Sequence, residues 1–202
     1  MSQQPGQPAP QPPDEFYLSF SSDITPTSCE TLLAAMAELA NARVPKVHLL
    51  LSTPGGGVAQ GVTIYNTLRG MPFELVTHNT GSVNSIGNPI FLAGDTRYAC
   101  PHSTFMFHGV GFNAPQNMRF EEKFLRERLD SVEADQKVIA SIIESRTNLT
   151  GEVLRGLFLE AQTKDAEWAL DVGLVHEIRD VNIPDGKPVK ALVFQRQGVV
   201  GA

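Results

Sequence analysis

Short apolar runs and longer amphipathic stretches alternate along the chain from Glu15 to Phe194. Short runs bounded by turn residues predict strands, and apolar residues repeating every three or four positions predict helices. The predicted strands are Glu15–Ser21, Lys46–Ser52, Phe73–His78, Thr104–Phe107, Leu174–Ile178 and Val189–Phe194. The predicted helices are Thr27–Ala42, Val58–Arg69, Ser85–Ala93, Met118–Arg146, Leu154–Glu160 and Ala166–Val172. This order, with short connections, predicts an α/β fold in which helices cover a parallel sheet.

One predicted helix, Met118–Arg146, is much longer than the others and contains neither glycine nor proline. At 1.5 Å per residue it would extend roughly 40 Å, more than a small domain needs to cover its own sheet. The pattern leaves two interpretations open: a long surface helix, or a projecting arm that packs against a partner subunit. The length favours the projecting arm.

The two ends of the chain differ in composition from the middle. Residues 1–14, MSQQPGQPAPQPPD, contain five prolines and four glutamines and no large apolar side chain. Such a segment cannot bury enough surface to offset its ordering entropy, so it predicts a disordered tail. The sequence therefore predicts one domain over residues 15–195, with a flexible tail over residues 196–202.

Composition and charge exclude several classes of protein. The 202 residues are 42% hydrophobic and 19% charged, which is enough apolar material for a core. The net charge of −6 argues against a nucleic-acid partner, and no apolar run is long enough to predict a membrane span. Two cysteines without zinc spacing predict neither a disulfide framework nor a metal site. Because no signal peptide is evident, we expect a cytoplasmic protein.

The first candidate functional motif is the glycine loop Thr53–Gly57, between a predicted strand and a predicted helix. With Gly61 it matches a dinucleotide-binding pattern, but Pro54 precedes the glycines and no acidic residue ends the next strand. No lysine follows the glycines, which excludes a phosphate-binding Walker loop. The motif alone fits a structural turn and a loop that binds an oxyanion equally well.

Two further motifs contain a serine and a histidine. Ser85 lies at the start of a predicted helix, where it could be a nucleophile or, as this motif alone favours, only a helix cap. Val83 stands where the elbow of α/β-hydrolases requires glycine, which argues against that fold. His108 ends a predicted strand. Since parallel strands end at one edge of a sheet, the glycine loop, Ser85 and His108 together predict a hydrolytic Ser–His site.

Three segments resemble the ClpP-type serine peptidases of the ClpP/crotonase superfamily. LLLSTPGGGVAQGVTIYNTL is similar to the family's strand, PGG turn and helix, and GSVNSIGNPIFLAG is similar to its nucleophile segment. STFMFHGV is similar to the segment with the base, and DVGLVHEI to the closing segment. The resemblance covers roughly Phe16–Ile178 and implies a spiral of βαβ units from which the helix Met118–Arg146 projects as a handle.

The resemblance assigns a role to each candidate residue. It implies that Ser85 is the nucleophile, that His108 is the general base, and that the N–H groups of Gly56 and Ile86 form the oxyanion hole. It also implies an endopeptidase that needs no cofactor, acts on peptides or unfolded proteins, and assembles into stacked rings of seven subunits.

The chain departs from the family at the third member of the catalytic triad. Counting back from Gly173 to the expected aspartate reaches Leu157, which cannot orient a histidine. Glu160 is the nearest carboxylate and is our candidate, whereas Asp165 fits a helix cap better. A Ser–His dyad is the alternative. A Ser–Lys dyad using Lys164 is the weakest option.

Other departures affect partners and chemistry. The Pro/Gln-rich tail occupies the stretch where the family has its axial loop, which argues against docking of an ATPase unfoldase. Asn84 and Asn88 flank Ser85 where the family usually has small apolar residues, so we expect a more polar cleft.

Two alternative functions stay open. The missing third residue is consistent with a ring-forming paralogue without catalytic activity. A crotonase-like acyl-CoA enzyme is less well supported, because Asp95 is the only acidic residue between positions 80 and 100.

Overall fold

One sheet organises the structure, a computed structural model that describes residues 12–113 and 119–194. Over those residues eight strands form the sheet: β1 (Phe16–Ser21), β2 (Lys46–Thr53), β3 (Glu74–Asn84), β4 (Thr96–Ala99), β5 (Thr104–Met106), β6 (Thr163–Asp165), β7 (Glu177–Ile178) and β8 (Val189–Leu192). The main path runs β6-β5-β3-β2-β1-β8, and β4 pairs with both β3 and β7. Every pairing is parallel except that of β5 with β6. The predicted α/β class is confirmed.

Helices pack on the sheet and close the core. In the described residues they are α1 (Pro26–Asn41), α2 (Val58–Arg69), α3 (Gly87–Leu92), α4 (Glu122–Arg146), α5 (Gly151–Glu160) and α6 (Ala166–Asp171). The first begins at a capping box, in which the Thr25 side chain accepts from the Ser28 N–H and Ser28 Oγ accepts from the Thr25 N–H. The core contains the fully buried side chains Leu18, Phe20, Leu32, Met36, Leu49, Leu51, Ile64 and Leu75.

Strand β3 is longer than predicted because it has two partners on one side. Its first half pairs with β4, and Ser82–Asn84 pair with Thr104–Met106 of β5. The sequence pattern missed β4, since its four residues include Arg97. That guanidinium is buried and donates to the carbonyl groups of Gly94, Arg146, Gly173 and Leu174. Burial lowers the pKa of Arg97 to about 10.

Helix α4 begins at Glu122 and not at Met118 as predicted. Residues 119–121 are described and are not helical, whereas Met118 lies outside the described residues. Its 25 residues extend about 37 Å. Only its C-terminal part contributes buried side chains, Ile139, Ile142 and Ile143, whereas Leu125 and Leu129 are 49% and 56% exposed. The first half of α4 therefore projects from the domain, as the arm interpretation predicts.

The predicted tails fall largely outside the described residues. Residues 1–11 and 195–202 are not among them, so those predictions are untested. Asp14, at the end of the predicted N-terminal tail, forms an ion pair with Lys187 at 2.6 Å, and this partner lowers the Asp14 pKa. Over the residues that can be described, no helix is both long and apolar enough to span a bilayer.

Candidate active site

Ser85 lies in the tight turn between β3 and α3 and adopts a left-handed conformation with φ of 56°. Its N–H donates to Met106 O at 2.8 Å, and its carbonyl accepts from the Asn88 N–H at 3.0 Å. The N-cap position of α3 is Ile86, and no side chain caps that helix. The alternative in which Ser85 is only a helix cap is therefore wrong. A positive φ at a non-glycine residue is strained, as is common at functional sites.

The glycine loop packs directly against this turn. Gly55 and Gly56 have φ of 95° and 149°. A Cβ on Gly55 would lie 2.8 Å from Ser85 Cβ, and a Cβ on Gly56 would overlap the Ile24 carbonyl. Hydrogen bonds of 2.8 Å from Ile24 N to Gly55 O and from Gly57 N to Ile24 O hold the loop in place. Only glycine allows this approach, which brings the loop into contact with Ser85.

Two backbone N–H groups near Ser85 are candidate donors to an oxyanion; Gly56 is exposed, whereas Ile86 is fully buried. Within the described residues, neither the N–H of Gly56 nor that of Ile86 donates to a protein acceptor. Gly56 belongs to the loop that packs on Ser85, and Ile86 is the next residue in the chain. Backbone N–H groups beside a nucleophile are the donors that a developing oxyanion requires.

His108 reaches the same edge of the sheet from β5. Because Ser82–Asn84 and Thr104–Met106 pair in parallel, the residues that follow on both strands emerge side by side. Ser85 and His108 are both half-buried. In the described part of the chain no hydrogen bond joins the Ser85 hydroxyl to the His108 imidazole. Such contacts often tighten only when substrate binds.

Extending the register of β5 and β6 beyond the strand ends points to Ala161 as the counterpart of His108. Strand β5 pairs with β6 in antiparallel register, Met106 opposite Thr163, and the Phe107 N–H donates to Gln162 O at 2.8 Å. Continuing this register by one residue would place Ala161 opposite His108, on the same side of the pair. Ala161 is left-handed, with φ of 49°. Counting along the sequence and extending the strand register therefore point to different residues for the third position, Leu157 and Ala161.

The other candidates for the third position are arranged differently. Leu157 is buried in the core. Glu160 is exposed at the end of α5, and its carboxylate accepts from Gln162 Nε2. No Glu160–His108 hydrogen bond forms among the described residues, and the role of Glu160 stays a prediction. Lys164 places its ammonium group 5.4 Å from the centre of the Trp168 ring, and Asp165 caps α6.

Asn88 was expected to make the cleft polar, but it is 1% exposed and lies beneath the Ser85 turn. Its Nδ2 donates to Ser85 O at 3.0 Å and to Met106 O at 2.9 Å. The sequence signal for this contact was that Asn88 follows Ser85 by three residues at the start of a predicted helix.

Within the described residues, no group of three or more His, Cys, Asp or Glu side chains is arranged to hold a metal ion.

Comparison with known proteins identifies first the fold and then the family. The fold is that of ClpP: the ClpP1 N165D mutant from Listeria monocytogenes is similar with a TM-score of 0.73 and 18% identity, over 82% of this chain and 91% of that chain. ClpP1 from the same organism is similar with a TM-score of 0.69 and 20% identity, over 82% and 92%. The family model of the Clp protease matches residues 13–182, so this chain belongs to the Clp protease family. The resemblance noted in the sequence is confirmed.

Two relatives with curated names agree with this assignment. The chain is 30% identical over 139 residues to the ATP-dependent Clp protease proteolytic subunit 2 of Corynebacterium efficiens, a match that spans 65% of each chain. It is 28% identical over 172 residues to the subunit of the same name from Cutibacterium acnes, spanning 78% of this chain and 74% of the relative. The chain thus spans slightly less than two thirds of the C. efficiens relative.

Proposed function

We propose that this protein is a serine-type endopeptidase that hydrolyses peptides or unfolded proteins through an acyl-enzyme on Ser85. The observation that supports this most directly is the left-handed Ser85, packed against a glycine loop and flanked by N–H groups without protein acceptors. Strain at one serine, next to potential oxyanion donors, is typical of a nucleophile.

The proposed mechanism uses Ser85 and His108 as a dyad. His108 removes the Ser85 hydroxyl proton while Oγ attacks the peptide carbonyl, and the oxyanion accepts from the N–H groups of Gly56 and Ile86. His108 then donates the proton to the leaving amine, and a water molecule activated by His108 hydrolyses the acyl-enzyme. Ala161 cannot orient the imidazole, so we expect slow turnover.

Fluorophosphonate labelling of the purified protein tests the proposal. We expect the wild type to be labelled, and Ser85→Ala and His108→Ala to lose the label, because the probe reacts only with a serine activated by a base. Ser82→Ala, on β3, and His102→Ala, at an exposed site, are matched controls that should label like the wild type. Labelling that persists in Ser85→Ala, or an unlabelled folded wild type, would refute the proposal.

We also propose that copies of this chain associate through the projecting half of α4. The resemblance to ClpP-type peptidases implies such an assembly, in stacked rings of seven subunits. Leu125 and Leu129 in that half, and Phe120 just before the helix, are about half exposed, which supports burial against another copy. Light scattering would measure the mass of the assembly, and a monomeric wild type would contradict the proposal. The relatives are named ATP-dependent, whereas the Pro/Gln-rich tail argues against docking of an ATPase; residues 1–11 of that tail lie outside the described residues.

A second candidate function is a ring-forming subunit without catalytic activity. Two points favour it: the extended β5–β6 register brings no carboxylate opposite His108, and no Ser85–His108 hydrogen bond forms among the described residues. It predicts a stable oligomer that is never labelled and cleaves no peptide, so the labelling experiment separates it from the peptidase. No observation favours the acyl-CoA alternative.

A further inference from the structure

The side chain of Asn88 connects the Ser85 turn to the strand that precedes His108. Met106 O accepts from both Ser85 N and Asn88 Nδ2, at 2.8 and 2.9 Å. Ser85 O accepts from both Asn88 N and Asn88 Nδ2, each at 3.0 Å. Both backbone polar groups of Ser85 thus belong to a network that the Asn88 amide closes.

The observed orientation of the Asn88 amide leaves its oxygen without a hydrogen-bond partner among the described residues. That oxygen, Oδ1, is buried. Flipping the amide would direct Oδ1 at two carbonyl oxygens, so the observed orientation is the favourable one. An unsatisfied buried acceptor destabilises the folded state, and an apolar side chain would avoid this penalty. The benefit of asparagine at this position therefore lies in its two donated hydrogen bonds.

We propose that Asn88 is a positioning residue for the nucleophile, an inference that rests on the function proposed above. Its two hydrogen bonds hold Ser85 in the left-handed conformation and fix it relative to β5, whose end leads into His108. Without them the Ser85 peptide can relax toward an unstrained conformation. A displacement of the reacting hydroxyl by about 1 Å is enough to slow acylation strongly.

Asn79 provides a matched control in the same pair of strands. It is fully buried on β3, its Nδ2 donates to Thr104 O of β5 at 2.8 Å, and its Oδ1 accepts from the Gly81 N–H at 3.1 Å. Asn79 therefore links β3 to β5, much as Asn88 links the Ser85 turn to β5, but both polar atoms of its amide have partners within the described residues and it lies six residues before Ser85. Its loss should affect stability rather than the nucleophile.

The experiment compares Asn88→Ala and Asn79→Ala with the wild type in three measurements. These are the second-order rate constant of fluorophosphonate labelling, the Tm, and the amide hydrogen exchange of residues 83–88. For Asn88→Ala we expect labelling at least about 10-fold slower, faster exchange at Ser85, and a Tm near that of the wild type. For Asn79→Ala we expect a lower Tm and a labelling rate within about twofold of the wild type.

The outcomes separate a positioning role from a packing role. Labelling and exchange at wild-type rates in Asn88→Ala would overturn the inference, and so would a Tm loss as large as that of Asn79→Ala. Asn88→Ser repeats the comparison should the alanine variant not fold. If the folded wild type is unlabelled, the proposed function fails, while exchange at Ser85 in the same variants still decides whether Asn88 holds the turn.

Discussion

The Ala161→Asp variant is expected to be labelled and to cleave peptides at least about 100-fold faster than the wild type. The antiparallel register of β5 and β6, extended by two residues beyond Met106 and Thr163, would place residue 161 across from His108. A carboxylate there would accept a hydrogen bond from the imidazole, fix its tautomer and stabilise the imidazolium that forms during acylation. Loss of such a carboxylate costs about 10⁴ in kcat in a well-formed triad, so its introduction can restore part of that factor.

The backbone conformation at position 161 is also compatible with aspartate. Ala161 has φ of 49°, a conformation that aspartate and asparagine adopt more readily than alanine. Ala161→Asn is therefore the matched control, since it relieves the same strain without adding a charge. Measuring kcat and the labelling rate of both variants tests whether a carboxylate at position 161 orients His108. Equal rates for the aspartate and asparagine variants would contradict the orienting role of a carboxylate at this position.

The same rate measurements test whether the Glu160 carboxylate orients His108. If its carboxylate already orients His108 in solution, Glu160→Gln lowers the wild-type rate and Ala161→Asp adds little. If Glu160 is only a surface residue bonded to Gln162, as in the structure, Glu160→Gln leaves the rate unchanged.

The second large expected effect concerns stability at low pH. On the face of the sheet opposite Val47 and Leu49, His48 Nδ1 and His78 Nε2 lie 3.1 Å apart and share a hydrogen bond. Burial lowers the pKa of His78 to about 4, and the nearby His48 and Arg179 add to this effect. Burial also lowers the pKa of His48, against the opposing effect of Glu15.

The lowered pKa values of His48 and His78 predict a protein that loses stability as the pH falls. Since the pKa of His78 is lower in the folded protein than in the unfolded chain, the unfolded chain binds its proton first as the pH falls. The contribution of His78 to the free energy of unfolding is therefore constant above about pH 6.5 and decreases from there to about pH 4. The lowered pKa of His78 corresponds to at most about 3 kcal/mol, or about 10 °C in Tm for a domain of this size.

Thermal unfolding between pH 8 and pH 4 measures this effect. We expect the Tm of the wild type to fall below pH 6.5, and we expect a shallower fall in His78→Phe, which removes the titrating group. His102→Gln, at an exposed histidine, is the control and should follow the wild type. A His78→Phe profile as steep as that of the wild type would exclude His78 as the cause.

Much of the fold followed from patterns that are local in the sequence. The alternation of strands and helices, the glycine loop after β2 and the placement of Ser85 and His108 at one edge depend on neighbouring residues and on strand order. The long arm was also predictable, since Met118–Arg146 lacks helix breakers, although its described start lies at Glu122.

By itself the sequence determined the architecture, because hydrophobic periodicity and turn residues act over short distances, and its motifs identified the family and two candidate residues for a dyad. Only the tertiary structure pointed to Ala161 as the counterpart of His108, since β6 has three residues and its register depends on hydrogen bonds to a strand far away in the chain. The same holds for β4, whose buried Arg97 is satisfied by distant carbonyl groups, and for Asn88, whose role depends on Met106 O. Polar groups that are paired across the fold leave no periodic signal in the sequence.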